Sequence, residues 1–273
     1  MIDSKILNET DLKSIKNDLF HKGYHIVYDF FGEEFIQDIK KKIITLNKKY
    51  GEKYSIGTVV VGLFLRHKIF LDILEFEPIH KMVRFLLGEK YIYSVFQSIT
   101  LKPDLDEGWW HVDHPNQLLT EINKSKSMNY SFQMFILLDD FNEKNGATKF
   151  IPNSHKWDNS KINISDSNQI DTLIAKKGSL FIYNGNLIHS AGLNKTTSTR
   201  SILVLQFVPS FIRPQEDIEK YLNKKDKNQS QKIKDLFGNK LPTLQSPKTN
   251  KSLGYKFLLI MIKILNKILK KII

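Results

Sequence analysis

The sequence predicts a mainly β protein with flanking helices, its strands packed as a sandwich or barrel. Three observations predict this. Short aromatic and β-branched runs separated by polar loops recur after Gly88, helical periodicity is concentrated before it, and no strand–helix alternation of the kind that builds a parallel sheet follows. At 273 residues the chain can bury one substantial core, and it is near the size at which chains begin to divide into domains.

Glu9 to Lys22 and Glu33 to Lys49 read as helices around the apolar run Gly23 to Tyr28, with Gly23 and Gly32 as punctuation. A further helix over Phe76 to Leu87 ends at Gly88, a C-terminal cap, and is followed by a strand over Tyr91 to Leu101. Tyr130 to Leu138, Ser179 to Tyr183 and Arg200 to Pro209 complete the set of predicted strands. Asn145-Gly146 supplies a tight turn needing positive φ. Pro214 to Asn223 reads as a helix, followed by a polar strap.

Composition narrows the chemistry. Without cysteine, transition-metal ligands must come from histidine and carboxylates, disulfides are excluded, and the reducing cytoplasm is the expected home. The polar start has no apolar secretory core. The net charge of +12 is not a nucleic-acid signature: Lys251, Lys256, Lys263, Lys267, Lys270 and Lys271 supply half of it in a tail without acids, and no groove-reading motif organises the rest.

His111 and Asp113 stand two apart, so on a strand their side chains share a face and can bind one ion together. His189, from a distant strand, would complete a 2-His-1-carboxylate site. Such a triad leaves coordination positions of Fe(II) open for an oxidisable cosubstrate and O2, whereas a structural zinc site consumes four protein ligands. Arg200, expected across a hairpin from His189, can grip a carboxylate through two parallel hydrogen bonds, which suits a diacid such as 2-oxoglutarate. Taken singly, the triplet could arise by chance, His189 could be a core histidine and Arg200 a surface charge; their order and spacing make them specific together.

Gln97 could hydrogen-bond the cosubstrate or substrate, with a structural role as the alternative. Trp109, Trp110 and Phe132 could wall a pocket or belong to the core. His114 is expected opposite the site and His155 in a loop-stabilising role.

These residues resemble those of the phytanoyl-CoA dioxygenase family of Fe(II)- and 2-oxoglutarate-dependent oxygenases. The similarity runs from about Asp11 to Leu241 and includes Phe20 to Val27, Phe85-Leu86-Leu87-Gly88, Asn145-Gly146-Ala147-Thr148, Ile151-Pro152-Asn153-Ser154-His155 and Lys177-Gly178-Ser179-Leu180. Asn153 stands where the family usually has Gly. The resemblance implies a double-stranded β-helix core of the jelly-roll, cupin-like type. It implies that His111, Asp113 and His189 hold iron while Arg200 binds the distal carboxylate of 2-oxoglutarate. It also implies hydroxylation of a small or lipid-linked metabolite, with O2 consumed and 2-oxoglutarate decarboxylated to succinate and CO2. Related halogenases replace the carboxylate with a small residue; Asp113 favours hydroxylation. Desaturation, epimerisation and ring closure keep the same iron chemistry, and a non-enzymatic metabolite- or glycan-binding protein on this fold, tethered to membrane by its C-terminal helix, is the competing class.

The expected organisation is an oxygenase domain over 1–221, a polar strap over 222–252 and a basic amphipathic helix over 253–273. The Lys and Asn residues of 256–273 fall within an arc of about 140° at about 100° per residue. That stripe argues against a transmembrane span and for either peripheral contact with an anionic membrane or packing on protein.

Overall fold

The computed structural model describes residues 2–116, 131–157, 164, 169–217 and 230–237. They belong to a compact unit over Met1–Lys240. The expected basic helix at 253–273 lies outside the described residues, as does most of the 222–252 strap. Among the described residues no helix is long and apolar enough to cross a membrane.

Helix α1 spans Glu9–His21 and is opened by a capping box, in which Asn8 and Asp11 each accept the other's backbone N–H at 2.9 Å. Strand β1 is Tyr24–Val27, and α2 is Glu33–Tyr50, with Ile36, Ile39, Ile43 and Leu46 buried at helical spacing. Two short strands follow, β2 at Glu52–Tyr54 and β3 at Gly57–Val60, then α3 at Lys68–Leu74 and α4 at Glu77–Leu87. Helix α4 stops at Gly88, whose φ of 81° suits a residue without a side chain.

The β-rich part comprises β4 at Tyr91–Leu101, β5 at Phe132–Leu137, β6 at Thr148–Phe150, β7 at Asp171–Thr172, β8 at Leu180–Asn184, β9 at His189–Ala191 and β10 at Arg200–Pro209. A seven-stranded sheet runs β1-β8-β5-β10-β4-β3-β2, and a three-stranded sheet runs β7-β6-β9. Every named pairing is antiparallel.

Alternation along the strands decides what each face does. Met134 and Ile136 of β5, Leu180 and Ile182 of β8, and Leu203, Leu205 and Phe207 of β10 form one core with residues of α1, α2, α3 and α4. Phe135, Leu137, Phe181, Tyr183, Ile202 and Val204 point the other way and pack with Phe141, Phe150 and Leu173. Helices therefore cover one face of the large sheet, leaving the opposite face for the site. Phe132, a candidate pocket wall, shares the parity of Met134 and belongs to the helix-covered core.

The segment after β10 departs from expectation. Residues 214–217 are not helical, and 218–223 lie outside the described residues. The Glu216 backbone N–H is spent on the Ser94 carbonyl at 3.0 Å. Its carboxylate accepts from the Tyr93 hydroxyl and from the N–H groups of Phe96 at 3.2 Å and Gly62 at 3.4 Å. Those bonds tie the chain to β4 in place of a helical turn. Helix α5, Gln231–Leu236, then buries Ile233 and Leu236, and Phe237 beyond it packs 4.9 Å from the Phe64 ring.

His80 on α4 sets a limit on acid stability. It is 1% exposed, donating Nε2–H to the Leu74 carbonyl at 2.5 Å while Nδ1 lies 2.7 Å from the Tyr91 hydroxyl. Burial pushes its pKa down to about 4. The unfolded chain therefore takes up this proton first, so the contribution is intact above pH 6.5 and is lost as the pH falls towards 4. By pH 5 the loss is about 2 kcal/mol. Thermal melts at pH 7 and pH 5 should show a drop in Tm that shrinks in His80→Gln; an equal drop in both proteins removes His80 as the cause.

Candidate active site

The site begins with a two-residue bridge. His111 lies in the irregular segment after β4, and its N–H and carbonyl pair with those of His189 at 3.0 Å in each direction. The triplet is therefore not on a regular strand as expected. One antiparallel bridge to β9 does the aligning, reinforced by Gly108 N–H to the Ala191 carbonyl at 2.9 Å and Asp113 N–H to the Gly185 carbonyl at 3.0 Å. A side chain at Gly108 would press on the Ala191 backbone at 2.8 Å, so the close approach requires glycine there.

The ring positions follow from carbonyl acceptors. His111 Nδ1 lies 2.8 Å from the Trp109 carbonyl and His189 Nδ1 lies 2.9 Å from the Leu187 carbonyl. A carbonyl can only accept, so each Nδ1 carries the proton and each Nε2 presents its lone pair. The rings lie 4.3 Å apart. Asp113 completes the group, with Oδ1 3.8 Å from His111 Nε2 and Oδ2 3.8 Å from His189 Nε2. One ligand atom from each of the three residues lies within 4.8 Å of the others, so the trio could hold a metal ion. Two imidazole nitrogens and a carboxylate oxygen converging from one side suit Fe(II) with open positions. Burial, aided by repulsion from His111, pushes the His189 pKa down to about 4, favouring the neutral form that binds metal.

Tyr183 was not singled out in the sequence, where it is one apolar-strand aromatic among several. Its hydroxyl donates to Asp113 Oδ2 at 2.9 Å. Burial and the neighbouring carboxylate push its pKa well above the ordinary value, so it remains a donor.

Arg200 opens β10 on the large sheet, whereas His189 belongs to the small one; the two do not form the expected hairpin. The crossing nonetheless brings both into one pocket, with Asp113, His111, Tyr183, Gln97 and Thr148. Arg200 is 2% exposed, donates one Nη to the Gly146 carbonyl and sits with its guanidinium 4.2 Å from the centre of the Phe141 ring. Its buried Nε has no hydrogen-bond partner. Burial pushes its pKa down, opposed by Asp139. A buried cation that lines a pocket and keeps an unspent donor is suited to an anionic ligand.

Gln97 lines the pocket on β4, opposite Val204. Trp109, 64% exposed, stacks on His111 at 4.6 Å on the pocket rim, whereas Trp110 packs against the small cluster of Val112, Ile151 and Ile188. Phe135, rather than Phe132, lines the pocket. His114 contributes its carbonyl, which accepts from Gln206 Nε2 at 2.5 Å. His155 holds a loop through its Nε2 and the Phe20 carbonyl, 3.0 Å apart. Asn153 has φ of 66°, a left-handed conformation that asparagine tolerates better than most side chains and that explains the Gly-for-Asn exchange with the resembled pattern.

Comparison with known proteins agrees with this architecture. Residues 21–202 match the family model described as Phytanoyl-CoA dioxygenase (PhyH). Dioxygenase cdmD of Talaromyces verruculosus is 22% identical over 244 residues, covering 79% of this chain and 80% of its own. Dioxygenase swnH2 of Arthroderma benhamiae is 26% identical, covering 88% of this chain and 84% of its own. The non-heme alpha ketoglutarate dependent epimerase SnoN from nogalamycin biosynthesis superposes with a TM-score of 0.63 at 14% identity, over 74% of this chain and 82% of that chain. Its complex with Fe3+, alpha ketoglutarate and nogalamycin RO gives 0.61 at 14% identity, over 82% and 93%. The shared fold is the double-stranded β-helix, or jelly roll, expected from the sequence.

Gly146 links loop and pocket. Its φ is 73°, and an added Cβ would lie 2.3 Å from Leu101 Cδ2 and 2.7 Å from the Gly192 carbonyl. Gly146→Ala should lose about 2 kcal/mol of stability in a denaturant titration and weaken dicarboxylate binding by displacing the carbonyl that holds Arg200. Wild-type values for both would show that the turn does not support the clamp.

Proposed function

Because the chain belongs to the phytanoyl-CoA dioxygenase family of Fe(II)- and 2-oxoglutarate-dependent oxygenases, we propose that it hydroxylates a small or lipid-linked metabolite, R–H + 2-oxoglutarate + O2 giving R–OH + succinate + CO2. The enzyme class and its iron, 2-oxoglutarate and O2 come with the family; the non-enzymatic binding protein is set aside on that ground. In this reading His111, Asp113 and His189 hold the iron, which supplies the oxidising chemistry when bound. Arg200 receives the distal carboxylate of 2-oxoglutarate, and Gln97 hydrogen-bonds the cosubstrate or substrate beside it.

The observation that carries the reading is Arg200. A guanidinium buried this deeply, with its Nε unsatisfied and its pocket shared with the His111–Asp113–His189 group, suits an anionic ligand. A short dicarboxylate would place one end at each. The rest of the pocket gives the substrate an apolar setting, with Val59, Ile99, Ile202 and Val204 in its walls and the exposed Trp109 and Tyr54 on its rim. Retention of Asp113 favours oxygen transfer over halogenation. Epimerisation is the second outcome to test, because SnoN, described as an epimerase, shares this fold.

Anaerobic addition of Fe(II) and 2-oxoglutarate should give the weak visible charge-transfer band of a chelated cosubstrate in the wild type and none in Asp113→Ala. A band of equal strength in both would rule out the triad. Arg200→Ala should raise the 2-oxoglutarate concentration needed for half-saturation by about thirtyfold, the equivalent of a charge-assisted bond of ~2 kcal/mol. An unchanged titration would remove Arg200 from the site.

A further inference from the structure

We propose that Tyr183 is a positioning residue that makes Asp113 a one-armed metal ligand, by occupying Oδ2 and leaving Oδ1 for the ion. The proposal rests on the metal-binding reading of His111, Asp113 and His189 given above, and goes beyond it by assigning what keeps the remaining coordination positions free.

The carboxylate by itself has no preference. Oδ1 lies 3.8 Å from His111 Nε2 and Oδ2 lies 3.8 Å from His189 Nε2, so both oxygens face the space between the imidazoles equally. The Tyr183 hydroxyl breaks the tie, donating to Oδ2 at 2.9 Å. No hydrogen bond to Oδ1 is made by a neighbouring side chain among the described residues.

Tyr183 is built to hold that hydrogen bond. It stands on β8 between β1 and β5, opposite Tyr24 on one side and Gln133 on the other. Its ring is stacked on Phe181 at 5.1 Å, meets Phe135 edge-on at 5.0 Å and abuts the His189 ring at 5.0 Å. With 1% of its surface exposed, the ring has nowhere to rotate. The same strand end carries Gly185, whose carbonyl holds the Asp113 N–H at 3.0 Å, so donor and acceptor are referenced to one backbone.

The consequence is a count of positions. A six-coordinate ion with three protein atoms has three positions left, enough for a two-pronged keto acid and O2. A carboxylate binding through both oxygens would take one of the three. Hydrogen bonds to metal-bound carboxylates commonly control such choices from outside the ligand set.

Tyr183→Phe removes the hydroxyl and keeps the ring packing. The test uses Mn(II) as a paramagnetic probe, loaded one per chain without 2-oxoglutarate, and reads the water-proton relaxivity, which counts exchangeable waters on the ion. The expected result is three waters in the wild type and two in Tyr183→Phe, a fall of about one third in the inner-sphere signal, with Tm close to wild type. Equal relaxivity in the two proteins would overturn the proposal and leave Tyr183 a packing residue. A wild-type signal no higher than that of Asp113→Ala would instead sink the metal site itself, and the proposal with it. A second measurement needs no variant: Fe(III)-loaded wild type should lack a phenolate-to-iron absorption band, and its presence would make Tyr183 a ligand and refute the positioning role.

Discussion

The site depends on one pair of backbone hydrogen bonds, those joining His111 to His189. They connect an irregular segment to a three-residue strand, and neither piece has enough regular structure to orient a side chain alone. Once the bridge is made, the Trp109 and Leu187 carbonyls set the tautomer of each ring, and both Nε2 atoms converge. Gly108 allows its backbone to approach that of Ala191 where a Cβ would collide, and a Cβ at Gly185 would strike the Ser131 and Asn116 side chains. The convergence of the two imidazoles is thus set largely by main-chain groups, with side chains supplying the final atoms.

Arg200 brings the opposite problem, a charge taken out of water. Isolated burial of a guanidinium costs several kcal/mol, and the fold offsets it with the Gly146 carbonyl, the face of Phe141 and the field of Asp139. The offset is incomplete, because Nε remains unpartnered. Asp139 is held elsewhere, by Lys40 and by the Ser201 N–H at 2.9 Å, so it does not close over the guanidinium. The protein keeps a cation stable in the fold while leaving part of its hydrogen-bonding capacity unspent.

Much of this was legible from residue order. Long amphipathic patterns gave α1, α2 and α4 within a residue or two, and β4 and β10 matched their predicted spans, since ten or so residues of alternating or continuous apolar character leave little ambiguity. The strands β6, β7 and β9 were not legible: two or three residues long and partly polar, they exist only through partners far along the chain. The same is true of the exposed β2. Candidate ligands could be named from spacing, but their alignment on a bridge and the separation of His189 and Arg200 onto different sheets required the topology. Tyr183 was hidden because nothing about an aromatic residue in a strand reveals which carboxylate its hydroxyl will meet. Phe132 took the core alternative, because its strand parity with Met134 turns it to the helix-covered face.

Trp109 gives the arrangement an optical side. Its indole is largely in solvent yet lies stacked on the His111 ring at the rim of the pocket. An ion seated on His111 Nε2 is therefore one aromatic ring away from a fluorophore, whereas Trp110 is turned into the Val112 cluster. An ion or substrate arriving there would change the environment of this indole, so Trp109 emission would report occupancy of the site.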